Sequence, residues 1–196
     1  PTTIGVAAAS SGLTENAWHH IAVVKNGTGS NNIQVYVDGV SRVTGTFGAI
    51  YNTSLPLTIG RQMNTSYPQY FLGQISNIRI IKGTALYTGN FTPSTSKLTA
   101  VTNTKLLTCQ SNRFVDNSST GHTLTPNGLP AVTSFGPFLT SSVYDPAVNG
   151  ASGYFDGDGD YLSIANSSDF NLSNNPFTFS FWAKFSAPGT LYGRYY

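Results

Sequence analysis

The sequence predicts an all-β protein, folded as a sandwich or a barrel. Apolar residues recur with a period of two in most segments, and Gly, Asn and Pro mark the turns between them. We find no apolar pattern of helical period that extends beyond two turns. Short strands separated by such turns are typical of sandwiches and barrels, and 196 residues suffice for one sandwich.

The clearest element of the first half is a β-hairpin. Apolar and other residues alternate over 33–37, and Asp38-Gly39 forms a strong two-residue turn before a second strand at 40–43. Upstream, residues 20–24 are a near-continuous apolar run that ends at an Asn-Gly turn. This run predicts a buried strand next to the hairpin.

The two segments that follow depart from simple alternation. Residues 73–81 predict a strand, but Ile75 and Ile78 are out of phase, which indicates a β-bulge. Residues 82–103 are rich in Gly, Thr, Ser, Pro and Tyr. We expect this segment to wrap around the sheets, with a short helical turn at 84–87.

The second half ends in a strongly apolar strand. Phe177, Phe179 and Phe181 alternate along it, so we expect them to face the core. Residues 126–150 are rich in proline, and we expect them to form an irregular crossing. The apolar strand covers residues 177–185. Five shorter strands are predicted at 55–60, 106–109, 122–125, 153–156 and 161–164.

The composition argues against nucleic-acid and membrane partners. Charged residues make up 9% of the chain, against roughly 25% in typical soluble domains. The net charge is +2, and no two basic residues are adjacent, so the basic stripe of a nucleic-acid-binding protein is missing. No apolar run approaches the roughly 18 residues of a membrane span. Surface polarity from Ser, Thr, Asn and Gln suits contact with sugars or with other copies of the protein.

Three stretches of the chain resemble the laminin-G-like jelly roll of the concanavalin-A-like lectin/glucanase superfamily. The resemblance implies a two-sheet antiparallel jelly-roll β-sandwich. It also implies an extracellular or virion location, because a further stretch, 106–117, resembles the opening strand of such modules in bacteriophage virion proteins. The three stretches are 18–27 with 33–39, 71–80, and 153–157 with 161–164 and 177–185.

The order of these stretches departs from the family. In the family, the counterpart of 153–185 comes first and that of 18–43 second. Two explanations fit: the module is circularly permuted, or the chain is a window of a tandem array. We favour the array, in which residues 1–103 are the C-terminal part of one module and residues 104–196 the N-terminal part of the next. In the permuted alternative both belong to the same module.

Half a jelly roll leaves strand edges uncovered, and a neighbouring copy or module would complete them by strand addition. The leading hypothesis is therefore a non-catalytic structural or adhesive module of a virion fibre or extracellular filament, one unit of a tandem array. The alternative is a discrete carbohydrate-binding lectin module, for which surface glycans are the partner. An accessory domain of an enzyme is a third possibility.

The sequence argues against catalysis. Glucanases of this superfamily use paired carboxylates, because glycoside hydrolysis needs an acid and a nucleophile or base at a fixed separation. This chain has a single Glu, Glu15, in a turn-like segment before Trp18. We therefore predict no catalytic residue, no enzyme activity and no required cofactor.

Asp156, Asp158 and Asp160 form the candidate metal site. Carboxylates at alternate positions resemble the start of a calcium loop. The EF-hand interpretation fails, because Tyr161 stands at the position of the Gly and Ser167 at that of the bidentate Glu. We favour a hairpin turn whose carboxylates accept backbone hydrogen bonds. A weak calcium site is the alternative, since laminin-G-like modules often bind calcium at a loop rim.

Several other side chains are candidates for packing or for contact with a ligand. Cys109 should be a buried strand residue, and Trp18 and Trp182 should pack between the sheets. His19 and His20 are adjacent and face opposite sides of a strand, so we expect one packed and one exposed. Tyrosines in polar segments could stack on sugars or partner modules: Tyr67, Tyr70, Tyr87, Tyr192, Tyr195 and Tyr196.

Overall fold

The computed structural model describes residues 3–6, 12–50, 52–62, 69–139, 144–145, 147–186 and 191–194. All strand pairs are antiparallel, which confirms the predicted all-β fold. In the described residues the one helical element is a 3-10 turn at Ser168–Phe170. The strands in chain order are β1 (Thr3–Val6), β2 (Trp18–Lys25), β3 (Ile33–Val37), β4 (Val40–Gly45), β5 (Leu57–Ile59), β6 (Arg61–Gln62), β7 (Gln69–Tyr70), β8 (Leu72–Lys82), β9 (Thr104–Thr108), β10 (Leu124–Asn127), β11 (Ala131–Thr133), β12 (Ser152–Asp156), β13 (Tyr161–Ile164), β14 (Phe177–Phe185) and β15 (Leu191–Arg194).

One large sheet holds eight of these strands. Their order is β11-β12-β8-β14-β2-β3-β4, and β9 lies beside β8. The long strand β8 pairs with β12 along its first half and with β9 along its second half. Strand β14 lies between β8 and β2, so a strand from 104–196 is inserted between two strands from 1–103 within this sheet.

The second sheet has three strands in the order β10-β13-β5, and it too combines both parts of the chain. Two short ribbons complete the strand pairing, one between β6 and β7 and one between β1 and β15. The second ribbon joins the first described strand to the last. No described helix has the length and apolar character needed to cross a membrane.

The main core lies between the large sheet and the three-stranded sheet, as a β-sandwich requires. Phe177 is fully buried, and Phe179 and Phe181 pack partly buried against the core, which confirms the predicted inward face of β14. Burial of these side chains contributes on the order of 2 kcal/mol for each full side chain removed from water. The buried members of the main cluster are Ile59, Ile75, Ile78, Ile80, Leu106, Cys109, Leu124, Phe155, Leu162 and Ile164.

The predicted bulge in β8 is confirmed. The register between β14 and β8 shifts between Ser180 and Trp182. At the bulge Asn77 adopts a left-handed φ of 53°, and its side-chain oxygen accepts a hydrogen bond from the Leu98 N–H at 2.9 Å. Asn tolerates this conformation better than a β-branched residue would.

The segment after β8 covers the outer face of the large sheet. Tyr87 and Phe91 pack there against Ala22, Val24 and Tyr36. This contact confirms that the segment wraps around the sheets. The outer face therefore has an apolar cluster of its own, separate from the core between the sheets.

The helical turn predicted at 84–87 is wrong. The Leu86 N–H donates to the Thr178 hydroxyl at 2.8 Å, and that hydroxyl donates to the Thr84 carbonyl at 3.1 Å. The segment therefore bonds to a side chain of β14 instead of closing its own helical hydrogen bonds.

The predicted packing of both tryptophans between the sheets is also wrong. The Trp182 ring contacts Phe138, with 5.5 Å between ring centroids, and His20, with 5.3 Å. His20 lies on the face of β2 opposite to the core. Trp18 is two residues before His20 on the same strand, so its side chain lies on that same outer face. Both tryptophans therefore lie on the outer face of the large sheet.

Candidate functional sites

The predicted metal residues lie in the turn between β12 and β13. Asp160 is 2% exposed, and its carboxylate accepts hydrogen bonds from the Leu129 N–H at 2.6 Å and the Asp156 N–H at 3.2 Å. The Asp156 carboxylate accepts from the Asp158 N–H at 2.8 Å. These contacts match the interpretation of turn carboxylates that accept backbone hydrogen bonds.

Calcium binding by Asp156, Asp158 and Asp160 stays a prediction. The described residues contain no group of three or more His, Cys, Asp or Glu side chains arranged to hold a metal ion. A cation at this turn would compete with backbone amides for the carboxylate oxygens of Asp156 and Asp160. Such competition would weaken a calcium site relative to one with free carboxylates.

A second cluster joins Thr14, His19 and Asp38 at the β3–β4 turn. The His19 Nδ1 lies 2.7 Å from Asp38 Oδ2, and its Nε2 lies 3.1 Å from the Thr14 hydroxyl. Hydroxyl, imidazole and carboxylate also follow each other in this order in hydrolase triads. Here, however, the Thr14 main-chain N–H donates to the same Nε2 at 3.0 Å, so the nitrogen is already engaged. The Asp38 carboxylate also accepts from the His20 N–H at 2.9 Å, and the cluster holds the turn to β2.

The expectation of one packed and one exposed histidine is wrong, because His19 and His20 are both buried. His20 faces the outer aromatic cluster, with its ring centroid 5.5 Å from Phe91 and 6.1 Å from Tyr87. Neither ring nitrogen of His20 has a hydrogen-bond partner among the described residues. The pKa of His20 is lowered to about 4, chiefly by burial, while the charge of Asp38 opposes this shift and that of Arg79 adds to it.

A cleft of about 240 Å³ lies beside the loop between β2 and β3. It opens on the outer face, where Val24 of β2 and Gln34 of β3 form its floor. One wall is the β2–β3 loop, and the opposite wall is the segment after β8. The polar and aromatic residues along these walls include Asn26, Ser30, Asn31, Tyr87 and Thr88.

Hydrogen bonds hold the β2–β3 loop in place. The Asn26 N–H donates to the Asn32 carbonyl at 2.7 Å and closes the loop. The buried Asn32 amide donates to the carbonyls of Gly27 at 3.1 Å and Phe47 at 2.8 Å. Lys25 also donates to the Gly27 carbonyl at 3.0 Å. The wall of the cleft is therefore fixed without any contribution from the side chains that face the opening.

The side chains at the opening remain available. Asn26, Asn31 and Thr88 are exposed, and their side chains make no hydrogen bond within the described part of the chain. Gln34 accepts a hydrogen bond from the Tyr36 hydroxyl on its oxygen, which leaves its side-chain N–H groups free. Sequence reasoning had singled out Tyr87 as a candidate for stacking. It missed the cleft, because its walls are more than fifty residues apart in the chain.

The structure describes only some of the other tyrosines that the sequence suggested for stacking on a ligand. Tyr70 packs near Tyr161, with ring centroids 6.4 Å apart, and Arg61 lies over the Tyr161 ring at 4.9 Å. Tyr67, Tyr195 and Tyr196 lie outside the described residues, and only the backbone of Tyr192 is described. Cys109 is buried as expected, but it follows β9 instead of lying within it.

Comparison with known protein families supports part of the laminin-G-like resemblance. Residues 2–86 match the model of a laminin-G family described as belonging to the concanavalin A-like lectin/glucanases superfamily. The matched range includes β2, β3, β4 and all of β8, and it supports the resemblance found in that part of the sequence. No curated protein and no solved structure matches the chain. The match and the antiparallel sheets agree on a concanavalin A-like β-sandwich.

Proposed function

We propose that this chain is a non-catalytic structural or adhesive module of a virion fibre or extracellular filament, one unit of a tandem array. Its partners are neighbouring copies or modules of the same protein. The family match supports a binding or adhesive β-sandwich module. The low charge supports contacts with uncharged surfaces, since a chain with few charges has little field to steer a charged partner.

The observation that carries this proposal is the β11 edge of the large sheet. Among the described strands, β11 pairs with β12 alone, and its residues, Ala131 to Thr133, carry no charge. Leu129, 89% exposed, and Phe135, 63% exposed, flank it. Soluble proteins commonly protect edge strands with charged residues. A neighbouring copy that covers this edge would bury both side chains and pair the free backbone groups.

Self-association of the whole chain tests the proposal. Sedimentation velocity over a hundredfold range of concentration should show association that the double variant Leu129→Asp, Phe135→Asp weakens at least tenfold. Val101→Asp is the matched control, because Val101 is also exposed and lies away from this edge. A parent chain that stays monomeric at every concentration, or a double variant that associates like the control, would refute the proposal.

We further propose that the unit of the array is one permuted module, in which residues 1–103 and 104–196 complete the same sandwich, and not a window across two modules. The position of β14 between β2 and β8 supports this, since a strand of the second part supplies hydrogen-bond partners to two strands of the first. Fragments 1–103 and 104–196, expressed together, should form a one-to-one complex with the melting behaviour of the intact chain. Independent folding of either fragment would contradict it.

A second candidate function is carbohydrate binding. The cleft beside the β2–β3 loop favours it, because its described lining consists of amides, hydroxyls, one aromatic ring and small or aliphatic residues, without a charged side chain. Binding of the parent chain to an array of glycans tests this function, and its absence from the whole array contradicts it.

A further inference from the structure

We infer that the cleft beside the β2–β3 loop binds one ring of a neutral sugar, an inference that rests on the carbohydrate-binding function proposed above. The ligand would lie on Val24 and Gln34, between the loop and the Tyr87-Thr88 segment. This place is on the outer face of the large sheet, away from the Asp156 turn. It is therefore a site separate from the predicted calcium residues.

The chemistry of the lining selects a neutral polyol. Amide and hydroxyl side chains can both donate and accept hydrogen bonds, and each sugar hydroxyl does the same. A phosphate or carboxylate ligand would call for Arg or Lys, which form the strong charge-assisted hydrogen bonds to such groups. None of the described residues that line the cleft is charged. Lys25 is adjacent in sequence to Asn26, but it is fully buried and donates to the carbonyls of Gly27 and Asn174.

The polar groups at the opening are available to a ligand and stand on a fixed frame. The side chains of Asn26, Asn31 and Thr88 make no hydrogen bond within the described residues, so a sugar hydroxyl would not displace an internal hydrogen bond. The backbone of the loop is held by the buried Asn32 amide, which donates to the Gly27 carbonyl within the loop and to the Phe47 carbonyl beyond β4. A frame that is already ordered lowers the entropy cost of binding.

The size and the aromatic wall fit one ring. The cleft of about 240 Å³ is smaller than the roughly 300–1,000 Å³ of pockets for drug-sized ligands, so it suits a small ligand. Tyr87 stacks on Phe91 with 3.7 Å between ring centroids and 6° between planes. Its hydroxyl accepts a hydrogen bond from Arg79 at 3.2 Å, which fixes the ring from its far end. Tyr87 thus offers rigid apolar surface to the C–H groups of a sugar.

A glycan array followed by titration calorimetry tests the inference on the whole chain. The array carries neutral glucose-, galactose-, mannose- and fucose-containing oligosaccharides together with sialylated and sulfated ones. The site variant is Asn26→Ala with Thr88→Val. The matched control, Asn52→Ala with Thr102→Val, makes the same chemical changes at exposed residues outside the cleft. Equal melting temperatures of the three proteins establish that each is folded.

We expect the parent and the control to bind a neutral glycan with equal affinity, and the site variant to bind it at least tenfold more weakly. Equal binding by all three proteins would overturn the cleft as the site and leave carbohydrate binding in place. A preference for sialylated or sulfated glycans would overturn the neutral ligand. If no glycan binds, both the inference and the carbohydrate-binding function fail, while the self-association proposal is unaffected.

Discussion

Lowering the pH from 7 to 4 should destabilise this protein through His20. The ring is 1% exposed and lies among Tyr87, Phe91 and Trp182. No described residue accepts a hydrogen bond from either ring nitrogen. A second proton on this ring would place a positive charge in an apolar cluster without an acceptor, which strongly disfavours the charged form.

The sign and size of the effect follow from the pKa of His20. Burial lowers it from 6.5 to about 4 in the folded state. Between these values the unfolded chain binds more protons, so the free energy of unfolding is highest above pH 6.5 and falls as the pH drops towards 4. The full loss from this one ring is about 3 kcal/mol, because each pKa unit corresponds to about 1.4 kcal/mol.

Urea denaturation at intervals between pH 4 and pH 7.5 measures this loss. His20→Phe keeps an aromatic ring in the cluster and removes the titrating group. Between pH 7.5 and pH 4, the free energy of unfolding of this variant should therefore fall by about 3 kcal/mol less than that of the parent. Carboxylates titrate in both proteins, and the difference between the two curves isolates His20.

Parallel curves for the parent and His20→Phe would refute the reasoning. A second measurement covers the case in which the variant folds poorly. An NMR titration of the parent should place the pKa of the His20 ring near 4, as burial predicts. A value near 6.5 would mean that the ring reaches water or finds a partner in solution.

Four further predictions concern a turn glycine, the buried thiol, the turn carboxylates and calcium. Gly39→Ala should lower the free energy of unfolding by at least about 2 kcal/mol in urea denaturation, because φ is +78° and an added Cβ would lie 1.7 Å from the Phe91 carbonyl oxygen. Cys109 should react with iodoacetamide at the rate of unfolding, since burial raises its thiol pKa to about 12, and rapid labelling of the native chain would contradict this. Asp160→Ala should cost about 2 kcal/mol, because it removes the buried carboxylate that accepts hydrogen bonds from two backbone amides, and Asp158→Ala, at an exposed carboxylate, should cost under about 0.5 kcal/mol. If the turn binds calcium, 5 mM calcium should raise the melting temperature of the parent, because a ligand that binds only the folded state stabilises it. The melting temperature of Asp158→Ala should stay unchanged.

The strands were predictable where their pattern is local. The hairpin strand 33–37 and the strands 161–164 and 177–185 have the predicted bounds, because alternating side chains and adjacent turn residues define them. The bulge in β8 was also visible, since an extra residue shifts the phase of the apolar pattern within one strand.

Features that depend on distant segments were not predictable. His20 and Trp182 were placed wrongly because the outer face of the large sheet is covered by a segment that follows β8. Strand β11 was missed within the proline-rich crossing, where its short uncharged run has no clear period. The cleft beside the β2–β3 loop has no sequence motif, since Asn26 and Thr88 meet through the packing of that same segment.

The position of β14 also determines when the protein can fold. Strand β2 is synthesised early, but its partner β14, at Phe177–Phe185, is synthesised about 150 residues later. Strand β8 also pairs with β14 and cannot complete this pairing earlier. At a synthesis rate of roughly 5–20 residues per second, the edges of β2 and β8 that later pair with β14 stay unpaired for several seconds or more. Such long-range pairing makes folding slow, so the nascent chain would depend on a chaperone or on dilution to avoid premature aggregation.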